Sequence, residues 1–233
     1  MTIWPHVYPL ATGNGEEQRP ALLHIQTVIK RERNLELANI AKYLYEIGHL
    51  KHLKRSGWWR MGVRDPESVA EHSYRTAVIG YVLAHLEGAD SEKTACICLF
   101  HDTAEARVGD LHWVTKRYLR STKEGEQAAL NEQTGQLPEK IANRILALVG
   151  EYEERSSQEA QLAREADLLE CLLQAREYEI QGYSKGLEWA KICREGLQND
   201  IARNLADACL NSDPGDWFQD LQSNPYSRKS ENE

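Results

Sequence analysis

The sequence predicts an all-α protein built as a single domain, and three observations predict it. Apolar residues recur at helical spacing in one stretch after another: Leu22, Ile25 and Val28/Ile29, then Leu37, Ile40, Leu44 and Ile47, then Val69, Ile79, Leu83 and Leu86. No run of strand length alternates Val, Ile and Thr with polar residues, and no internal repeat is present. Clusters of Asn, Gly and Pro are too few to turn the many short strands of a β architecture. With 233 residues, 41% of them hydrophobic, the chain has the size and apolar content of one large domain.

Taken in order, residues 1–20 contain Pro5, Pro9, Pro20, Gly13 and Gly15 and read as an arm whose Trp4, Val7, Tyr8 and Leu10 dock on the body. The body spans 21–217. Its first helix runs from Ala21 to Ile47, with Gly48 as the stop. A basic, aromatic stretch broken by Gly57 and Gly62 follows. Asp65, Pro66 and Glu67 mark the next helix start, where proline is tolerated and carboxylates suit the positive end of the dipole. That helix carries His72 and Thr76 on its apolar stripe. Another runs from Ser91, the expected N-cap, through Cys98 and Asp102 to Ala106. Helical patterns over 110–120, 123–134, 138–150, 157–181 and 186–210 bring the bundle to seven or more helices, with Gly182, Gly186 and Pro214 as punctuation. Residues 218–233, rich in Ser, Asn, Lys and Glu, read as a disordered tail.

Net charge is −8 and the pI is about 5.6. Such a surface repels polyanions, which argues against a nucleic-acid polymer as partner. A small phosphorylated molecule is compatible with it, because a metal ion and a few arginines reverse the potential locally. No stretch has the apolar length of a membrane span, and the first residues have neither the basic start nor the apolar block of a secretory signal. Five scattered cysteines, at 96, 98, 171, 193 and 209, form no metal-binding or disulfide framework. Free thiols of this kind point to the cytoplasm.

Four polar residues occupy positions where helical periodicity calls for apolar ones. His72 lies on the inward stripe, His101 and Asp102 follow the apolar run ACICLF, and Asp167 interrupts a helix containing Leu162, Ala166, Leu168, Leu169 and Leu172. An imidazole is readily buried, but desolvating a lone carboxylate costs on the order of several kcal/mol. Two such carboxylates near two imidazoles are most simply explained by a divalent cation. Taken singly, each residue has an ordinary structural explanation; together, in this order, they do not. Cys96 and Cys98, two apart on a helix, point in nearly opposite directions and read as packing residues.

The segments PESVAEHSYRTAV, LFHDTAEARVGDL and EYEERSSQEAQLAREADLLE resemble the three signatures of the HD-domain phosphohydrolases. Within that superfamily they are most similar to the small 5′-deoxynucleotidases, including the eukaryotic HD-domain-containing protein 2 group, over roughly residues 35–210. The resemblance implies that His72, His101, Asp102 and Asp167 bind the main metal ion and that Glu105 is the catalytic glutamate. It implies that Asp110 contacts the sugar, or holds a second metal with Glu105 and the backbone carbonyl of Leu111. It places an arginine and a tryptophan at the phosphate and base. Trp58 fits the tryptophan, but Gly57 precedes it, so Arg55 or Arg60 takes the arginine's place, with Arg64 a further candidate. Relatives have proline or alanine where this chain has His112 and Trp113, so base or sugar preference is expected to differ. A homodimer is likewise implied by the resemblance alone.

Two imidazoles and two carboxylates leave open positions on a six-coordinate ion, and mixed nitrogen–oxygen ligation suits Mn²⁺, Co²⁺ or Mg²⁺, with Fe²⁺ also compatible. The expected reaction is hydrolysis of deoxyribonucleoside 5′-monophosphates, with Glu105 as general acid or base and an arginine clamping the phosphate. The only histidine between Asp102 and Asp167 is His112, which argues against dinuclear phosphodiesterases and oxygenases of the superfamily. Ala106 after Glu105 argues against a guanosine tetraphosphate hydrolase. A dNTP triphosphohydrolase and a metal-binding, non-catalytic relative remain as alternatives.

Overall fold

The computed structural model describes residues 18–219, which contain eleven α-helices and, among the described residues, no strand. They are α1 (Gln18–Ile47), α2 (Val69–Glu87), α3 (Ser91–Phe100), α4 (Glu105–Val108), α5 (Trp113–Lys116), α6 (Thr122–Thr134), α7 (Glu139–Glu154), α8 (Gln158–Ile180), α9 (Gly186–Gly196), α10 (Asp200–Asn211) and α11 (Asp216–Gln219). The expected all-α class holds. The arm over 1–20, with Trp4, Val7, Tyr8 and Leu10, and the tail over 218–233 lie outside the described residues except at their inner ends. There α1 starts at Gln18 and α11 reaches Gln219. Among the described residues, no helix is long and apolar enough to cross a membrane.

Helix α8 is the axis of the bundle. Ala160, Ala163, Ala166, Leu169, Leu172 and Ala175 along it are fully buried, and α2, α3, α9 and α10 pack around it. The alanines let neighbouring backbones come close. Gly80 on α2 goes further: a Cβ there would lie 2.6 Å from Cys98 Sγ of α3, 3.3 Å from Thr94 Cγ2 and 3.6 Å from Ala166 Cβ of α8. This three-helix junction sits two turns beyond His72, three residues before His101 and next to Asp167 in sequence. A second cluster, with Tyr43, Leu130, Ile145 and Val149, joins α1, α6 and α7.

Several helix ends differ from the sequence expectation, each for a local reason. Helix α1 ends at Ile47 as expected, and the chain goes on as a 3-10 turn over Gly48–Lys51, with a second 3-10 segment over Ser56–Met61. Helix α2 starts at Val69 rather than near Asp65, because Ser68 and Glu71 form a capping box in which each side chain satisfies the other's backbone N–H. Residues 53–55 then pair with 67–69, through Arg55 N–H to Glu67 O at 3.0 Å and Val69 N–H to Leu53 O at 2.9 Å. This short pairing fixes Arg55 beside the first turn of α2. Asp90, not Ser91, caps α3 by accepting from Lys93 N–H, since a carboxylate there also meets the helix dipole. The pattern over 186–210 breaks into α9 and α10, where Glu165 accepts from the N–H groups of Gln198 and Asn199, and Asn199 caps α10.

The junction gives a direct test. Gly80→Ala is expected to destabilise the protein by about 1–3 kcal/mol through overpacking, read from denaturant unfolding. Adding Cys98→Ala, which removes the sulfur in the way, should recover much of that loss. A Gly80→Ala protein as stable as the parent would show that the close approach of α2 and α3 does not constrain the fold.

Candidate active site and metal centre

Helix α3 ends at Phe100, so the His101–Asp102 pair lies in a turn between α3 and α4 rather than on a continuous helix. Side chains end the helix. His101 Nδ1 lies 2.6 Å from Cys98 O, and Thr103 Oγ1 donates to Phe100 O at 2.7 Å, taking carbonyls that a continuing backbone would have used. The consequence is chemical. With the Nδ1–H of His101 donated to a carbonyl, its Nε2 is a bare lone pair, buried and without a hydrogen-bond partner.

His72 is oriented the same way by another partner. Its Nδ1 lies 2.5 Å from Glu170 Oε2 on α8, and its buried Nε2 has no hydrogen-bond partner either. The two rings stand 5.5 Å apart between centroids. Asp167 Oδ2 accepts from Tyr152 Oη at 2.9 Å and Arg164 Nη1 at 2.5 Å, leaving Oδ1 3.3 Å from His72 Nε2. His72, His101 and Asp167 thus offer three ligand atoms within 4.8 Å of one another. Asp102 Oδ2 lies 3.1 Å from His101 Nε2 and 3.8 Å from His72 Nε2, and it also accepts from Arg55 Nη1 at 3.2 Å. Two buried imidazole nitrogens without hydrogen-bond partners, facing two carboxylates, form a donor set that fits a divalent cation, with Glu170 orienting His72 from behind.

The electrostatics agree. Burial opposes ionisation of Asp167, but His72, Arg164 and His101 outweigh it and hold the carboxylate well below its usual range. Asp102 is likewise held down against burial by His101, Arg55 and His72. Burial and Arg55 disfavour a proton on His72; Glu170 and Asp167 overcome both and push its pKa up to about 10. A cation at Nε2 would take that proton's place. Glu105 behaves oppositely. Burial, Asp102 and Asp110 raise it well above the usual carboxyl range, and its buried Oε2 has no partner.

Asp110 is aimed by Gly109, whose φ of +80° with ψ 157° is a conformation reserved for glycine. Its carboxylate accepts from the Ser56 N–H, and its carbonyl accepts from Ser56 Oγ at 2.9 Å. Arg55 Nη1 stands 3.5 Å from Asp110 Oδ1, so one guanidinium bridges Asp102 and Asp110. Arg55, His101, Asp102, Glu105, Asp110 and Asp167 line a cavity of about 1040 Å³, as do Leu111, Trp113, Lys116, Tyr152, Arg164 and Trp189, whereas His72 does not.

Two expected substrate residues are placed differently. Arg60 is exposed and outside the cavity, with Nε 3.1 Å from His112 Nε2. Trp58 touches the cavity but is only 3% exposed. It donates Nε1–H to Glu67 at 2.9 Å and packs edge-on to Tyr178, so it is a core residue with no free ring face. Sequence reasoning missed Glu170, Tyr152 and Arg164. Glu170 had a signal, an acid inside the apolar run LLECLL; Tyr152, between Glu151 and Glu153, and Arg164, between Ala163 and Glu165, had none.

Comparisons with known proteins identify the family and the fold. Residues 47–208 fit the family model described as HD domain. The chain is 36% identical to bovine 5′-deoxynucleotidase HDDC2 over 60% of its own length and 68% of that protein's. To the Dictyostelium discoideum 5′-deoxynucleotidase HDDC2 it is 36% identical over 62% and 80%. Among solved structures, a conserved hypothetical protein from Pyrococcus furiosus is 32% identical with a TM-score of 0.61, covering 72% of this chain and 96% of that one. A predicted metal-dependent phosphohydrolase from Magnetospirillum magnetotacticum is 26% identical with a TM-score of 0.56, over 75% and 93%.

Glu67, which holds the Trp58 indole, gives a pH test. Burial and then Glu170 raise its pKa to about 7, against His72, Arg55 and Trp58. A carboxyl raised in the folded state contributes stability that is present below its unfolded pKa and is lost as pH rises through the folded value. In chelator-treated protein the melting temperature should therefore fall between about pH 4.5 and pH 7. Glu67→Gln, which keeps the acceptor for Trp58, should flatten that slope; an unchanged slope would assign it to other groups.

Proposed function

The chain belongs to the HD domain family, and from that premise we propose that it is a metal-dependent phosphohydrolase that releases phosphate from deoxyribonucleoside 5′-monophosphates. The observation that carries the reading is the pair of buried Nε2 atoms of His72 and His101, without hydrogen-bond partners, facing Asp167 and Asp102 beside an open cavity. In this reading those four residues hold the ion, with Mn²⁺, Co²⁺ or Mg²⁺ best matched to the nitrogen–oxygen set and Fe²⁺ also compatible. When bound, a divalent ion acidifies water and offsets charge on phosphoryl oxygens.

The chain's own residues do the rest. Burial, Asp102 and Asp110 make the anion of Glu105 costly and favour its protonated form, which suits a general acid. As water attacks phosphorus and the bond from phosphorus to the 5′ oxygen breaks, Glu105 passes its proton to that oxygen. The proton shed by the water then recharges the carboxylate. Asp110, aimed by Gly109 and Ser56, is placed for a sugar hydroxyl, or for a second ion shared with Glu105 and the Leu111 carbonyl. Arg55, already bridging Asp102 and Asp110, is the phosphate-facing guanidinium, and Arg60 is set aside.

Cytoplasmic location and a homodimer complete the reading. Five free cysteines support the first. The second rests on an uncovered apolar stripe along α2, formed by Tyr74, Val78, Tyr81, Val82 and Leu86, and sedimentation equilibrium should give twice the 26.6 kDa chain mass. A monomer at micromolar concentration would remove it.

The decisive experiment pairs two variants. Glu105→Gln is expected to lose about 10²–10⁴-fold in dNMP turnover with metal content unchanged, and to lose far less on p-nitrophenyl phosphate, whose leaving group needs no proton. Glu170→Gln is expected to weaken metal affinity by about 10–100-fold. Phosphate release with added Mn²⁺ or Co²⁺ over dNMP, NMP and dNTP panels reads the activity. Metal lost with Glu105→Gln would make Glu105 a ligand, and metal-loaded parent protein inert to the whole panel would leave a binding protein.

A further inference from the structure

The cavity has an apolar side that phosphate chemistry does not use. Trp113, the first residue of α5, is 61% exposed, and Ile192 on α9 is 58% exposed; both line the cavity that contains Asp102 and Glu105, as does the half-buried Trp189. An exposed indole at a cavity mouth leaves a large apolar ring in water, and a second flat ring laid on it would remove that contact. Trp113 is held in place although its ring is free. The His112 side chain caps α5 by accepting at Nδ1 from the N–H groups of Val114 and Thr115, at 3.2 and 3.3 Å. The loop at Gly57 closes on both walls, since a Cβ there would lie 3.7 Å from the Trp189 ring and 4.0 Å from His112 Cβ. Trp58, which a base-stacking role would otherwise fall to, is only 3% exposed and packs against Tyr178 and Trp189.

We infer that Trp113 is the stacking wall for the aromatic base of the substrate, with Trp189 and Ile192 lining the same side. The inference rests on the nucleotide reading of the site and deepens it by naming the residue that sees the base. Because every base offers a flat π-face, such a wall favours nucleotides over bare sugar phosphates while discriminating weakly among bases.

The test separates stacking from turnover. Binding of 2′-deoxyadenosine, which has no phosphate to hydrolyse, is measured calorimetrically with Mn²⁺-loaded full-length protein. Trp113→Ala should weaken it about 10- to 100-fold, Trp113→Phe should restore it, and Trp59→Ala, an exposed tryptophan outside the cavity, should leave it unchanged. In parallel, Trp113→Ala should lower kcat/KM for dAMP by a similar factor and leave that for 2-deoxyribose 5-phosphate unaltered. Equal affinity of the parent and Trp113→Ala for deoxyadenosine, no binding to the parent, or equal losses on both phosphate substrates would overturn the inference. Trp113-dependent binding of deoxyadenosine without phosphate release from any dNMP would instead sink the nucleotidase reading and leave the stacking wall standing.

Discussion

The structure is organised around compensating acids inside a helical junction. Asp102, Glu105, Asp167 and Glu170 are taken largely or wholly out of water, and Asp102, Asp167 and Glu170 lie 2.5–3.8 Å from the ring nitrogens of His72. Isolated ionised carboxylates are not tolerated in such surroundings, so each is either matched by a cation or kept neutral. Arg55 meets Asp102, Arg164 meets Asp167, and Arg75 meets Glu170 at 2.8 Å. Glu105, the one without a matching cation among these, is the one whose proton affinity is raised.

That arrangement separates the roles of the two oxygens or nitrogens on each group. His72 and His101 turn Nδ1 outward, to Glu170 and to the Cys98 carbonyl, and keep Nε2 inward. Asp167 gives Oδ2 to Tyr152 and Arg164 and keeps Oδ1 inward. The outward bonds fix ring tautomer and carboxylate rotamer, so the inward atoms meet at one point before any ligand arrives. The geometry survives because the helices that carry it are locked close together: Gly80 lets α2 approach Cys98 and Ala166, and α8 presents alanine to its neighbours.

Around this shared centre, the chain has features of its own. The 53–55 and 67–69 pairing draws Arg55 in and buries Trp58, while Arg60 is left at the surface. The His112–Trp113 step after Gly109–Asp110 builds a capped turn of helix that exposes an indole at the cavity. The acids and imidazoles are held by core helices, and the substrate-facing aromatics by short connecting elements, where sequence can vary at little cost to packing.

The sequence alone determined the helical class, because apolar spacing within a segment is a local property, and it singled out His72, His101, Asp102 and Asp167, because polar residues on an apolar stripe are locally anomalous. Glu170 carried the same mark and was legible in principle. Only the tertiary structure decided the rest. The HD pair left its helix because side chains took the terminal carbonyls, Trp58 became core through partners 9, 120 and 131 residues away, and Tyr152 and Arg164 joined the site from a segment that reads as solvated. Those outcomes depend on which distant surfaces meet, and that information lies in the packing of α2, α3 and α8 against one another rather than in any one stretch of chain.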